Sequence, residues 1–216
     1  MRLHSTITSP YARKVWVVAH ETGLVSRIER VPTNPHADEY LRDDNPLCRV
    51  PTLVLLDGST LFDSPVICEY LDSLHEGQKL FPPSGLARWS ALRLQALGDG
   101  MLDASLARRM EVIRPAAEQS PAWIDRQIKG VNAACAWLEA RFEMLSDPTT
   151  IGHIAVGCAL GYLDLRFSND PWRQRYPRLA DWSRSFAVRP SMVATRHDVL
   201  KETLPSQMIK EGPSHH

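Results

Sequence analysis

Polar and apolar positions alternate along "RLHST" (2–6), the two-residue period of a short strand. "SPYARKVWVVAHETG" then predicts a helix, with Ser9 at the N-cap, Pro10 at the first helical position and Gly23 just past the end. "RIERVP" (27–32) is a second strand, and "TLVLL" and "TLF", separated by Asp57-Gly58-Ser59, form a hairpin. "SPVICEYLDSLH" repeats the Ser-Pro start at Ser64-Pro65 and predicts another capped helix. The order is β-α-β, a loop, then β-β-α.

Beyond the Gly- and Pro-rich "EGQKLFPPSG" (76–85) the strand pattern stops. "LARWSALRLQALGDGMLDASLARRMEVIR" is long and helical, although Gly98 and Gly100 weaken its middle by about 1 kcal/mol each. Ile124, Ile128, Val131, Cys135, Leu138, Phe142 and Leu145 recur every three or four positions and mark one face of a further helix. "TIGHIAVGCALGYLDLRF" is apolar and rich in small residues, as a buried central helix requires, and "RLADWSRSFAVRP" adds one more. The boundaries are a first domain at 1–78, a linker at 79–86 and a helical domain at 87–216. The closing "GPSHH" is expected to be disordered and receives no function.

Charge narrows the function classes. The 216 residues carry 25 Lys+Arg against 25 Asp+Glu with no long single-sign run, which argues against a binder that neutralises many phosphates. No apolar stretch approaches the ~20 residues that cross a bilayer, and "MRLHSTITSP" has no secretory apolar core. Four cysteines without a CxxC pair or dense framework indicate a cytoplasmic protein with reduced thiols. The eight histidines show no HExxH or paired spacing, no P-loop or GxGxxG appears, and no metal site is expected.

Four motifs in order resemble the cytosolic glutathione S-transferase superfamily, in particular its bacterial serine-type members. They are "SPYARKV", "NPLCRVPTL" (45–53), "LFDSPVICEYLD" and "YPRLADWSRSFAVRPS". The resemblance implies an α/β thioredoxin-like first domain followed by an all-α domain. It also implies glutathione as co-substrate, a small hydrophobic electrophile as second substrate, a detoxifying activity and a homodimer contacting through residues near 60–72 and 88–103.

The residues bear this chemistry on their own terms. Glutathione presents a γ-glutamyl carboxylate and ammonium; Asp63 suits the ammonium, and the Ser64 hydroxyl and amides at a helix start suit the carboxylate. Simple capping by Asp63 and Ser64 is the alternative. By resemblance the Val50–Pro51 bond is cis, which frees the Val50 N–H and C=O to pair with the ligand backbone; the bare sequence favours an ordinary trans bond. Arg49 stands where the family has Lys and suits the glycyl carboxylate, or is a solvated surface charge. Cys48 stands where the family has Gly, and a side chain there disfavours positive φ.

Ser9 occupies the place of a thioredoxin's first cysteine, and Ser9-Pro10-Tyr11-Ala12 excludes dithiol chemistry at that site. Its hydroxyl is the assigned donor to the glutathione sulfur, with Tyr11, Thr8 and Thr6 as alternatives. The resemblance puts the electrophile between the domains, which suggests Met101, Leu102, Ser105 and Arg108, with Arg109 nearby and Tyr11 on the other side; core or dimer contact is the competing role. His153, where the family has a capping Asp, cannot offer a carboxylate to the N-cap amide. Two other functions use the same features: glutathione-dependent reduction of peroxides or disulfides, and a non-catalytic protein-binding module.

Overall fold

Leu3, Leu53 and Leu61 lie side by side across one four-stranded sheet. The computed structural model describes residues 1–146 and 148–209; the closing "GPSHH" lies outside the described residues. The strands are β1 (Arg2–Ser5), β2 (Glu29–Pro32), β3 (Thr52–Val54) and β4 (Thr60–Leu61), in the order β2-β1-β3-β4. β1 is parallel to β2 and antiparallel to β3, and β3 is antiparallel to β4. Val25–Arg27 forms a 3₁₀ turn, so the second strand starts at Glu29 rather than at 27. The Asp57-Gly58-Ser59 turn closes the hairpin: Gly58 takes φ +86° and the Asp57 carboxylate accepts from the Ser59 N–H and Oγ.

The helices of this unit are α1 (Pro10–Glu21), α2 (Leu41–Asp44) and α3 (Ser64–Ser73). α1 packs on α3; Ala12, Val15, Val18 and Ala19 on one and Ile67, Cys68 and Leu71 on the other are buried. Gly23, at φ +70°, follows the end of α1, the left-handed position a helix exit favours.

The second unit, Pro82–Val188, is all-helical: α4 (Gly85–Val112), α5 (Pro121–Ala140), α6 (Ile151–Arg166), α7 (Trp172–Arg175) and α8 (Pro177–Ala187). α6 is buried along most of its length, as its apolar sequence requires. α4 lies against it, and Gly98 explains itself there: a Cβ would stand 2.6 Å from the Ala155 carbonyl carbon. α5 stops at Ala140, and Phe142–Leu145 continues as a 3₁₀ turn, which still buries Leu145. The single helix expected through Leu145 is therefore broken at Arg141, whose ψ of +39° is not helical.

His153 does serve as a cap, contrary to the expectation. Its Nδ1 accepts from the Thr150 N–H at 3.1 Å while Nε2 lies 3.0 Å from the Ser146 carbonyl. A neutral imidazole protonated at Nε2 replaces the carboxylate with a lone pair.

The domain division also differs at the C-terminal side. α9 (Pro190–Ala194) and α10 (His197–Thr203) belong with the first unit rather than with the helical one. The Arg189 guanidinium donates to both Glu21 oxygens at 3.1 and 2.8 Å, and the Ser191 hydroxyl donates to the same carboxylate. Arg13 reaches the Met192 carbonyl at 3.2 Å, so the segment is fastened along α1.

Candidate functional site: one edge of the first unit's sheet

Strand directions alone bring the expected binding residues to one edge. β1 and β4 run antiparallel to β3, so both end where β3 begins. From the row Leu3–Leu53–Leu61 the chain leads forward through β1 to Ser9, backward through β3 to Val50, and forward through β4 to Ser64. Helices α1 and α3 start at this edge and direct their N-terminal amides there.

Ser9 caps α1 with a lone pair. Its Oγ accepts from the Ala12 N–H at 3.2 Å, and its proton has no acceptor among the described residues. The hydroxyl is half-buried, and it can cap and donate at once. Thr6 and Thr8, the alternative donors, are buried with their hydroxyls 3.5 Å apart; Tyr11 is half-buried.

The second Ser-Pro start behaves differently. Ser64 is 1 % exposed, and its Oγ has no hydrogen-bond partner. Asp63, at the N-cap of α3, is exposed and makes no side-chain cap bond. A buried hydroxyl left unpaired costs about 1–3 kcal/mol, which a ligand oxygen placed there would recover.

Between the two helix starts lies the turn before β3. The Val50–Pro51 bond, for which the sequence left cis and trans open, is cis. The Val50 N–H and C=O make no backbone hydrogen bond among the described residues. Cys48 adopts φ +51° despite its side chain, with Sγ 3.5 Å from the Pro35 carbonyl, so the loop keeps the left-handed turn that a side chain was expected to disfavour. Arg49 is exposed, and its guanidinium is unpaired among the described residues.

The sequence reading assigned no role to Asn45, which holds this turn. Its buried amide donates to the Arg49 carbonyl at 3.2 Å and to Thr52 Oγ1 at 2.9 Å, and Thr52 Oγ1 donates to the same carbonyl at 2.8 Å. One residue earlier, Asp44 lies 2.9 Å from His4 Nε2 and ties α2 to β1. An Asn-Pro pair just before a strand was the available signal, since Asn side chains bond nearby backbone in turns.

Of the residues suggested for the electrophile, Tyr11 lies on α1 and Met101, Leu102, Ser105 and Arg108 lie on α4. Met101, Leu102 and Ser105 are buried, and Ser105 Oγ donates to the Met101 carbonyl at 2.7 Å. Arg108 forms an ion pair with Asp170 and stacks 3.9 Å from the Phe167 ring. Among the described residues no group of three or more His, Cys, Asp or Glu is placed to hold a metal ion, and no helix is long and apolar enough to cross a membrane.

A small mixed sheet with two helices starting at one edge, followed by an all-helical unit, defines the thioredoxin-like plus all-α architecture. The model of the glutathione S-transferase N-terminal domain matches residues 8–74, and that of the C-terminal domain matches 121–185. The "Uncharacterized GST-like protein YibF" of Escherichia coli is 33 % identical over 199 residues, covering 90 % of this chain and 98 % of that protein. A glutathione transferase family member from Pseudomonas fluorescens Pf-5, solved with bound glutathione, matches with TM-score 0.87 and 44 % identity over 90 % of this chain and 98 % of that one. A glutathione S-transferase from Methylobacillus flagellatus KT, solved with glutathione, matches with TM-score 0.85 and 37 % identity over 90 % and 98 %. The chain belongs to the glutathione S-transferase superfamily.

Proposed function

We propose that this protein is a glutathione S-transferase that binds glutathione along the sheet edge and activates its thiol for attack on a hydrophobic electrophile. The observation that carries the reading is the buried, unpartnered Ser64 hydroxyl at the start of α3, on the same edge as Ser9 and Val50. Ser64 and the α3 amides receive the γ-glutamyl carboxylate, Asp63 its ammonium, Val50 the cysteinyl backbone and Arg49 the glycyl carboxylate. The glutathione bound in the similar Pseudomonas and Methylobacillus structures supports the ligand assignment.

In this mechanism the Ser9 hydroxyl donates a hydrogen bond to the sulfur and keeps its proton. A free thiol with pKa near 8.5 is only a few per cent thiolate at neutral pH, and lowering it by ~2 units takes ~2.7 kcal/mol. A hydrogen bond to an anion supplies ~1.5–3 kcal/mol and the α1 N-terminus a further ~0.3–1 kcal/mol. The thiol proton leaves to solvent, and the thiolate pair forms the new C–S bond while the leaving group departs with its own pair. Met101, Leu102, Ser105, Arg108 and Tyr11 remain the proposed electrophile contacts.

Titration calorimetry with glutathione tests the reading. Binding by the wild type that weakens in Ser64→Ala supports it; a wild type that does not bind glutathione overturns it.

The same reading carries a cytoplasmic location and a homodimer. None of the four cysteines is in a disulfide, which supports a reducing compartment. Exposed Val66 on α3 and Trp89 on α4 supply apolar surface in the two stretches expected at the dimer contact. Sedimentation should give a dimer; a monomer at micromolar concentration would overturn the assembly.

A further inference from the structure

The connection from β2 to β3 runs through residues 33–51 and pairs with no strand, so side chains must hold it. One imidazole grips both ends of its first part. His4, at 3 % exposure, lies 2.8 Å from Thr33 Oγ1 through Nδ1 and 2.9 Å from Asp44 Oδ2 through Nε2. Thr33 is the first residue after β2 and Asp44 the last of α2, so these two bonds close the whole excursion between them. Leu41 is the buried apolar residue of α2.

The grip on Asp44 continues into the turn that carries Arg49 and Val50. His4 pairs with Thr52 across β1 and β3, so the two side chains share a face of the sheet. His4 holds Asp44, and Thr52 Oγ1 accepts from the Asn45 amide at 2.9 Å. Neighbouring strand positions thus hold consecutive residues of the connection. Asn45 Nδ2 and Thr52 Oγ1 both donate to the Arg49 carbonyl, at 3.2 and 2.8 Å, and both residues are buried. The Arg49–Val50 peptide is trans, and in a trans peptide the C=O and N–H point to opposite sides. Fastening the carbonyl inward therefore aims the Val50 N–H outward, where it makes no backbone hydrogen bond among the described residues. An apolar side chain would fill the place of His4 with no polar atoms to satisfy, so what the imidazole adds is the tie to Thr33 and Asp44.

We propose that His4 is a positioning residue for glutathione. Acting through Asp44 and the Asn45–Thr52 clamp, it sets the direction of the Val50 N–H and the reach of Arg49, and with them the preference for a free glycyl carboxylate. This rests on the transferase reading above, in which Val50 meets the cysteinyl backbone and Arg49 the glycyl carboxylate. Asp63 and Ser64 stand at the start of α3, outside the turn, so the γ-glutamyl contacts do not depend on it.

Calorimetry with glutathione and its glycyl monoethyl ester separates positioning from folding. The ester keeps the γ-glutamyl and cysteinyl parts and removes one charge, so the ratio of the two affinities reads the Arg49 contact. The wild type should favour the free acid by about tenfold. His4→Asn, whose amide replaces Nδ1 but not Nε2, should weaken glutathione binding and bring the ratio close to one. His4→Gln, whose amide reaches the place of Nε2, should keep most of the ratio. Asp44→Leu removes the same tie from a half-buried position outside the sheet and should also lower the ratio, which covers a His4→Asn protein that fails to fold. Ser64→Ala should weaken both ligands alike. A loss of stability alone would lower the unfolding midpoint without moving the ratio in protein that circular dichroism shows to be folded at the titration temperature.

A ratio unchanged in both His4→Asn and Asp44→Leu overturns the role of His4, and the transferase reading survives it if Ser64→Ala still weakens glutathione. A wild-type ratio of one overturns the inference as well, because Arg49 then makes no use of the glycyl carboxylate. A wild type that binds neither ligand overturns the transferase reading and the inference with it.

Discussion

Ser9 and Ser64 begin two packed helices at one edge of one sheet, yet only Ser9 caps its helix. Ser9 Oγ accepts from the Ala12 amide, whereas Ser64 Oγ is buried with no partner. The same Ser-Pro sequence therefore has opposite energetic signs at its two occurrences. At the first it stabilises the empty protein; at the second it costs stability that a ligand can return.

Ser64→Ala and Ser9→Ala should consequently move stability in opposite directions. Ser64→Ala removes an unsatisfied hydroxyl, so the ligand-free protein should be unchanged or gain up to about 1 kcal/mol in urea unfolding, while glutathione binding weakens. Ser9→Ala loses a cap and should destabilise by about 1 kcal/mol. Asp63→Ala, which removes no cap bond, should weaken glutathione binding without a stability change. Unchanged affinity in both Asp63→Ala and Ser64→Ala would rule out the shared γ-glutamyl site.

For the thiol, Ser9→Ala should raise the pKa of bound glutathione by about 1–2 units, read from the ultraviolet thiolate titration. Affinity at neutral pH should change little, because the backbone and carboxylate contacts remain. Turnover should fall ten- to a hundredfold, equivalent to ~1.4–2.8 kcal/mol in the barrier. Tyr11→Phe is the control. A titration that moves there and not in Ser9→Ala would transfer the donor role to Tyr11.

At Cys48 the backbone inverts an ordinary preference. At a buried site with negative φ, valine is more stable than glycine. Cys48 sits at φ +51°, where a β-branched residue is a steric outlier. Cys48→Gly should therefore exceed Cys48→Val in unfolding free energy by about 2 kcal/mol. Equal stability of the two would mean that the turn abandons positive φ when substituted.

What was legible in the chain was what acts locally. Ser-Pro starts, the glycine exit at Gly23 and the Asp57-Gly58-Ser59 turn each specify dihedrals within a few residues, and those elements form as expected, except that the second start lacks the expected cap bond. The α5 pattern extended past its true end because the 3₁₀ turn after Arg141 keeps Leu145 on the buried side. At His153, an argument from charge missed that a neutral imidazole carries the same acceptor lone pair as a carboxylate. The convergence of Ser9, Val50 and Ser64 depends on strand direction, and the docking of Arg189 and Ser191 on Glu21 spans most of the chain. Neither follows from a local pattern.

That long-range contact predicts a pH dependence. Burial alone would raise the Glu21 pKa, but the Arg189 and Ser191 hydrogen bonds and the Arg189 charge outweigh it, so the carboxyl sits below its ordinary value in the folded protein. A depressed folded pKa contributes stability that is complete above the unfolded value and disappears as pH falls through the folded one. Glu21→Gln should thus lose about 1 kcal/mol at neutral pH, a modest figure because Glu21 and Arg189 keep 18 % and 34 % side-chain exposure. Urea midpoints of wild type and variant should converge as pH falls below the ordinary carboxylate range and through the depressed folded value, where the wild-type carboxyl also takes up its proton. A constant gap between the two curves from neutral to acid pH would show that the pair contributes no ionic stabilisation and that α9 is held by Arg13 and packing alone.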